Sequence, residues 1–212
     1  MNLCVEFGRL NKTSIVLASA SPRRIEILSL AGIEFDVVPS DVDEEQIFKR
    51  ELSQCSVTDL AQKLSYAKAE SVSKQYLDKL VIGADTLVSI QNHIMGKPLH
   101  RKEVKQFIKQ LSGKVHQVVT GFTLIHQKSS FQLSNYGLTN VLVRELSEEE
   151  IEDYSLSDDG LDAAGAYKIQ GLFSKHIRKI EGSYHNVVGL PIDLVYDGIL
   201  DFLKYKFTRN NE

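Results

Sequence analysis

The sequence predicts an α/β fold built on a mixed, twisted sheet flanked by helices. Short β-type runs alternate with helical patterns over the first half of the chain, an order that places helices on the faces of a partly parallel sheet. Two long β-type runs, 116–126 and 130–144, are separated only by residues 127–129 and read as an antiparallel hairpin. The chain has 212 residues, 42% of them hydrophobic, which suffices for a sizeable core, and it carries no internal repeat or low-complexity linker. Residues 14–203 read as one domain, with an extension over 1–13 and a polar tail over 204–212 that is expected to fray.

The elements follow in order. A buried strand at 15–17 runs through Ala18-Ser19-Ala20 into a helix start. There Ser21 suits the N-cap, where its hydroxyl can accept a backbone N–H, and Pro22 suits the first helical position. The helix reads 23–31, with Ile25 and Leu28 inward, and Gly32 stops it. A short strand at 35–39 leads to an acidic turn, Asp41-Val42-Asp43-Glu44-Glu45. Residues 57–76 are helical in composition, with Leu60, Leu64, Ala67 and Ser71 on one face. A strand at 79–82 ends in a turn, Gly83-Ala84-Asp85-Thr86, and 87–90 continues extended. Gln91-Asn92-His93 turns the chain towards Gly96-Lys97-Pro98, and a helix over 103–111 closes at Ser112-Gly113. After the hairpin, Ser147-Glu148-Glu149-Glu150 is a capping box opening a helix through Tyr154. Residues 158–171 are rich in Gly and Ala, 172–180 read as a strand, 182–189 as a loop and 191–203 as the closing helix.

Composition narrows the function. The net charge of −3 gives no general basic field, and basic stripes interleaved with aromatics are missing, so nucleic acid is not an expected partner. Cys4 and Cys55 form neither a disulfide framework nor a zinc pattern, which fits a reducing cytoplasm. The first ten residues carry Glu6 and lack a continuous apolar run, so no secretory leader is expected, and no stretch has the length of a membrane span. The six histidines show no ligand spacing, and His116 reads as structural. P-loop, dinucleotide-binding and nucleophile-elbow motifs are all missing.

What remains is a set of charged residues suited to phosphate chemistry with a divalent ion. Arg23 and Arg24 fall in a first helical turn, where the helix dipole disfavours cations. An anion held there by backbone N–H groups, serine hydroxyls and two guanidinium forks accounts for them; a solvated surface pair is the plain alternative. On this argument Arg24 is dispensable for folding without ligand. Asp85 can hold a cation or orient a water, although an aspartate after a strand is more commonly an Asx turn or a cap. Lys97, on a constrained turn, either pairs with phosphate or is an exposed turn lysine. Glu44 and Glu45 read as a solvated acidic run or as a source of one metal ligand. Lys68, between Ala67 and Ala69, reads by itself as a surface lysine, and Gln170 could read a base edge through its amide.

Taken together, these segments resemble the Maf family of nucleoside triphosphate pyrophosphatases. The matching pieces, in order, are Leu17 to Arg24, Asp43-Glu44, Ala67-Lys68-Ala69, Gly83 to Thr86, Gly96-Lys97-Pro98, Leu111 to His116, Val119-Thr120, Ala164 to Gly171 and Gly182 to Pro191. The resemblance implies an ITPase-like mixed sheet with a cleft between two lobes. It also implies hydrolysis of a triphosphate to the monophosphate and pyrophosphate with Mg²⁺ or Mn²⁺. By the same resemblance Asp85 is the catalytic base and a metal ligand with Glu44. Ser21, Arg24, Lys68 and Lys97 line the phosphates, and Arg23, Thr86 and Gln170 set substrate choice. The Ala-Gly-Ala-Tyr-x-Ile-Gln-Gly form resembles the branch acting on dTTP and UTP, and the family implies a homodimer. That branch usually has Asp-Lys-Ala-Gly where this chain has Asp162-Ala163-Ala164-Gly165. Alternatives are a pyrophosphatase for modified nucleotides and a nucleotide-binding regulator of cell division without turnover.

Overall fold

In the computed structural model, which describes residues 14–52, 54–91 and 93–209, strands β1 (Ile15–Leu17), β2 (Asp36–Val37), β3 (Leu80–Ile90), β4 (His93–Met95), β5 (Val115–His126), β6 (Phe131–Val143) and β7 (Ile177–Glu181) form one sheet. The order is β2-β1-β3-β5-β6-β7, with β4 paired to β3. β1 is parallel to both β2 and β3, and the remaining pairs are antiparallel. The sheet is therefore mixed, as the sequence pattern predicts. The expected 1–13 extension, Asn92 and the end of the tail at 210–212 lie outside the described residues.

Helices cover both faces. On one side α1 (Pro22–Leu30), α4 (Arg101–Leu111), α5 (Glu148–Leu156) and α7 (Ile192–Arg209) bury Leu28, Ile108, Ile151 and Phe202 against Leu17, Ile82, Ala84, Phe122 and Leu124. On the other side α3 (Val57–Ser73) packs on β3 and β5 through Leu60, Ala61, Leu64, Ala69 and Val72. Ser56 and Asp59 form a capping box at its start. The sequence reading puts Ala67 and Ser71 on the inner face of this helix. The buried stripe instead includes Ser65, Lys68 and Ala69, so the face is rotated by about one position. A polar Ser65 and a charged Lys68 obscure the apolar spacing.

Other elements also differ from the sequence reading. β3 is one continuous strand through Gly83-Ala84-Asp85-Thr86, because residues 81–89 all pair with β5 and the ladder overrides the turn-like composition. The acidic turn becomes α2 (Glu44–Glu51), capped by Asp43, whose carboxylate accepts from Gln46 N–H at 2.9 Å. Within 172–180, a 3₁₀ segment, Leu172–His176, precedes β7; Asp159 accepts the Leu172 N–H, and Phe173 packs between Tyr154 and Tyr167. In 182–189, Ser183 caps a short helix, α6 (Tyr184–Val188), which Gly189 ends with φ +136. α7 continues to Arg209 rather than fraying from 204, and the Tyr205 hydroxyl donates to the Ser129 carbonyl at 2.9 Å.

Two glycines set the distance between α3 and the sheet. A Cβ on Gly83 would lie 2.3 Å from the Ser65 carbonyl oxygen, and one on Gly121 would lie 2.3 Å from the Ala61 carbonyl. Gly83→Ala is expected to lower stability by about 1–3 kcal/mol through overpacking. Gly96→Ala, with no atom within 4 Å of its added carbon, should change stability little. Urea unfolding of the two variants against wild type checks this.

Candidate functional site

The candidate site lies where the sheet parts. β1 leaves β3 after the Leu17–Ile82 pair, and β4 joins β3 only at Val88. Between these points the edge of β3 carrying Asp85 and Thr86 pairs with neither, while its other edge stays bonded to β5. The chain leaving the C-terminal end of β1 turns here through Ser19 and Ser21 into α1. The C-terminal ends of parallel strands are the usual place for ligands in α/β sheets.

Alternation along β3 sends Asp85 to the α3 face and Thr86 to the opposite face. On the α3 face the close approach at Gly83 brings Lys68 down beside Asp85. Lys68 is only 5% exposed and Asp85 8%. The Lys68 ammonium donates to Asp85 Oδ1 at 2.6 Å and pairs with Glu44 Oε1 at 2.9 Å. Glu44 stands in the first turn of α2, where a carboxylate is favoured by the helix dipole. Lys68 is thus a buried residue bridging two carboxylates from separate elements.

On the opposite face Arg24, 8% exposed, is fixed by three bonds. Nε donates to the Gly189 carbonyl at 2.9 Å, one terminal nitrogen to Ser19 Oγ at 3.0 Å and the other to Thr86 Oγ1 at 3.2 Å. Thr86 shares a 3.0 Å hydrogen bond with Thr120 across the ladder, and Thr120 donates to the Asn186 carbonyl at 2.9 Å. Burial lowers the pKa of Arg24, opposed mainly by the nearby charges of Asp85 and Glu44. Three of the five guanidinium N–H donors are committed, leaving two. Ser21 occupies the N-cap, but its hydroxyl makes no capping bond; its own N–H donates to Ser19 Oγ at 3.3 Å. The first-turn N–H groups are consequently not capped by that side chain.

Arg23 points elsewhere, 3.5 Å from Asp162, which also holds Lys168 at 2.7 Å. This ties the start of α1 to the 158–171 loop. Ala163 is buried, and the cations beside Asp162 are those of Lys168 and Arg23. Gly165 N–H donates to the Gly96 carbonyl at 3.1 Å, joining this loop to the Lys97 turn. Lys97 and Gln170 are exposed, and among the described residues neither side chain forms a hydrogen bond or ion pair. The structure therefore brings Glu44, Lys68 and Asp85 into one contact and Arg24 and Thr86 into another. It leaves Arg23 at the start of α1, turned toward Asp162, and Lys97 and Gln170 on adjoining loops. His116 is structural, as expected: it is buried, its Nε2 bonds the Tyr167 hydroxyl at 2.8 Å, and burial pushes its pKa down to about 4.

Thr120, Asn186 and Gly189 escape a residue-by-residue reading, since they act on Arg24 and Thr86 through backbone carbonyls and a hydroxyl of distant segments. Their only mark in the sequence is membership of the ordered motifs.

The fold and the cluster define an α/β protein that sets buried cations beside carboxylates where its sheet parts, a setting for a polyanionic ligand. The chain belongs to the Maf family: residues 14–202 match the family described as Maf-like protein. Among its relatives is the dTTP/UTP pyrophosphatase of Alkaliphilus oremlandii (strain OhILAs), 46% identical over 179 residues, covering 84% of this chain and 90% of that protein. The dTTP/UTP pyrophosphatase of Lachnoclostridium phytofermentans is 41% identical over 192 residues, covering 89% and 94%. Among solved structures, the Ham1 protein of Staphylococcus aureus has a TM-score of 0.44 at 14% identity, covering 62% of this chain and 72% of that one.

The bonding of Arg24 reverses the expectation that it is dispensable for folding. Arg24→Ala would leave Gly189, Ser19 and Thr86 without their donor. It should lower stability of the ligand-free protein by about 1.5–3 kcal/mol, the usual worth of hydrogen bonds to a charged group, read as a drop in the urea midpoint.

Proposed function

We propose that the protein is a hydrolase that converts dTTP and UTP to the nucleoside monophosphate and pyrophosphate. The observation that supports it most directly is Asp85, a buried carboxylate at the unpaired edge of β3, with Lys68 and Glu44 beside it and Arg24 and Thr86 on the adjoining face. The names borne by relatives at 40% identity and above supply the substrate.

A triphosphate carries about four negative charges at neutral pH and needs fixed cations. In this reading the remaining donors of Arg24, the N–H groups of the α1 start, Ser21, Lys68 and Lys97 hold the phosphate oxygens. Asp85 orients a water and accepts its proton as the water oxygen bonds to phosphorus; the bond to the pyrophosphate oxygen breaks and pyrophosphate leaves. Glu44 and Asp85 fit a hard divalent cation, Mg²⁺ or Mn²⁺: both offer carboxylate oxygens to one point, and such ions take one or two carboxylates and complete their coordination with phosphate and water. The ion supplies charge neutralisation and lowers the pKa of bound water. Gln170, whose amide both donates and accepts, matches the adjacent carbonyl and N–H of uracil and thymine; Arg23 and Thr86 assist that choice. A cytoplasmic homodimer completes the reading, on the family resemblance. No helix among the described residues is long and apolar enough to cross a membrane.

Asp85→Asn should lower turnover by about 10²–10⁴-fold, the usual worth of a general base, with the circular dichroism spectrum preserved. Turnover near wild type would remove Asp85 from the chemistry.

A panel of triphosphates, with and without Mg²⁺, tests the whole reading. The expected product is pyrophosphate, and kcat/KM for dTTP and UTP should exceed that for CTP, ATP and GTP, because a base edge that fails to match leaves the Gln170 amide and the base without their paired hydrogen bonds in the complex. Gln170→Ala should flatten this preference. Release of orthophosphate, or no turnover with any nucleotide, would overturn the proposal; equal kcat/KM across the panel would overturn its base selectivity.

A further inference from the structure

We propose that Lys68 is a resident cation that holds the carboxylate pair in the ligand-free protein and excludes a free divalent ion until a nucleotide takes the ammonium over. The proposal rests on the function proposed above and adds an order to the binding events.

Three observations carry it. The ammonium touches oxygens of both Asp85 and Glu44, the two residues offered as metal ligands, at 2.6 and 2.9 Å. Its side chain is enclosed by α3 and the sheet rather than free to swing into water, being 5% exposed. Asp85 is itself 8% exposed, and a buried carboxylate without a partner is strongly disfavoured. The ammonium is therefore the group that makes the ligand-free arrangement tolerable.

The consequence is competition. A divalent cation and an ammonium cannot both take the same carboxylate oxygens at contact distance, because their repulsion there is large, most of all at the buried Asp85; Glu44 stays exposed at the rim. A metal arriving alone must expel a buried ammonium from its partners and offers it nothing in exchange. A triphosphate arriving with the metal supplies new anionic oxygens for the Lys68 donors. Metal and nucleotide consequently bind with positive coupling. Asp85 is released from Lys68, and becomes available to a water, only when substrate is present.

The experiment measures free Mn²⁺ by electron paramagnetic resonance over the full-length chain, with and without the non-hydrolysable analogue α,β-imido-dUTP. Wild type should bind Mn²⁺ weakly alone. Lys68→Met should tighten nucleotide-free Mn²⁺ binding by about tenfold or more and lose most of the coupling to the analogue. Lys68→Gln, polar but uncharged, should do the same and serves if the methionine variant misfolds. Lys63→Gln removes a charge of the same helix that pairs with Glu51 and not with Asp85 or Glu44, and should leave nucleotide-free Mn²⁺ binding nearly unchanged. Tight Mn²⁺ binding by wild type alone, unchanged affinity in both Lys68 variants, or equal tightening in Lys63→Gln would each overturn the proposal. If the triphosphate panel shows turnover while Mn²⁺ binding is indifferent to Lys68, this inference fails and the proposed function stands. If the panel shows no turnover, the underlying reading fails instead.

Discussion

Helix α3 lies so close to β3 and β5 that at two points only glycine fits beneath it. Gly83 sits under Ser65 and Ala69, and Gly121 under Ala61. The constraint is steric, and its effect is electrostatic. With the helix lowered onto the sheet, Lys68 enters the protein instead of reaching for solvent and meets Asp85, two residues along the same face of β3 from Gly83. Glu44 can complete the cluster because α2 runs against α3. A larger residue at either glycine would lift the helix and separate these charges.

The unpaired edge of β3 is the second element of the design. β1 ends early and β4 begins late, so part of an otherwise continuous strand has one edge unpaired by either while β5 supports it from the other side. Arg24 closes the far wall. It joins the start of α1, the middle of β3 and the end of α6 through one guanidinium, and burial still holds its pKa below the ordinary value against the opposing charges of Asp85 and Glu44. The helix-dipole penalty that marks Arg24 in the sequence is therefore met by protein groups as well as by any anion.

The residues assigned to base recognition stand on a different kind of support. The 158–171 loop has little regular structure, yet its centre is anchored. Tyr167 bonds the buried, neutral His116 and packs on Phe173, Gly165 bonds the Gly96 turn, and Asp162 spans Arg23 and Lys168. Gln170 and Lys97 remain exposed beside these anchors. This division, a fixed base with exposed tips, is how loops on a rigid scaffold present binding groups.

The sequence by itself determined the α/β class, the mixed sheet, the long β5–β6 hairpin and most helix starts. Those features follow from local chemistry: periodicity, Pro22 at a first helical position, and the capping box at Ser147. It also singled out Arg24 by its place in a first helical turn, and Asp85 and Lys68 chiefly through the ordered motifs. Only the tertiary structure decided that Asp85 lies within a strand rather than on a turn, since pairing with β5 outweighs the turn-like composition of Gly83-Ala84. It likewise decided that Lys68 is buried, because the glycines that admit it are distant in sequence and act by what they lack. The partners of Arg24 and Thr86, Gly189 and Thr120, are a backbone carbonyl and a ladder neighbour, joined by contacts between segments far apart in the chain. Such contacts leave no periodicity in the sequence, and they are the ones that form the site.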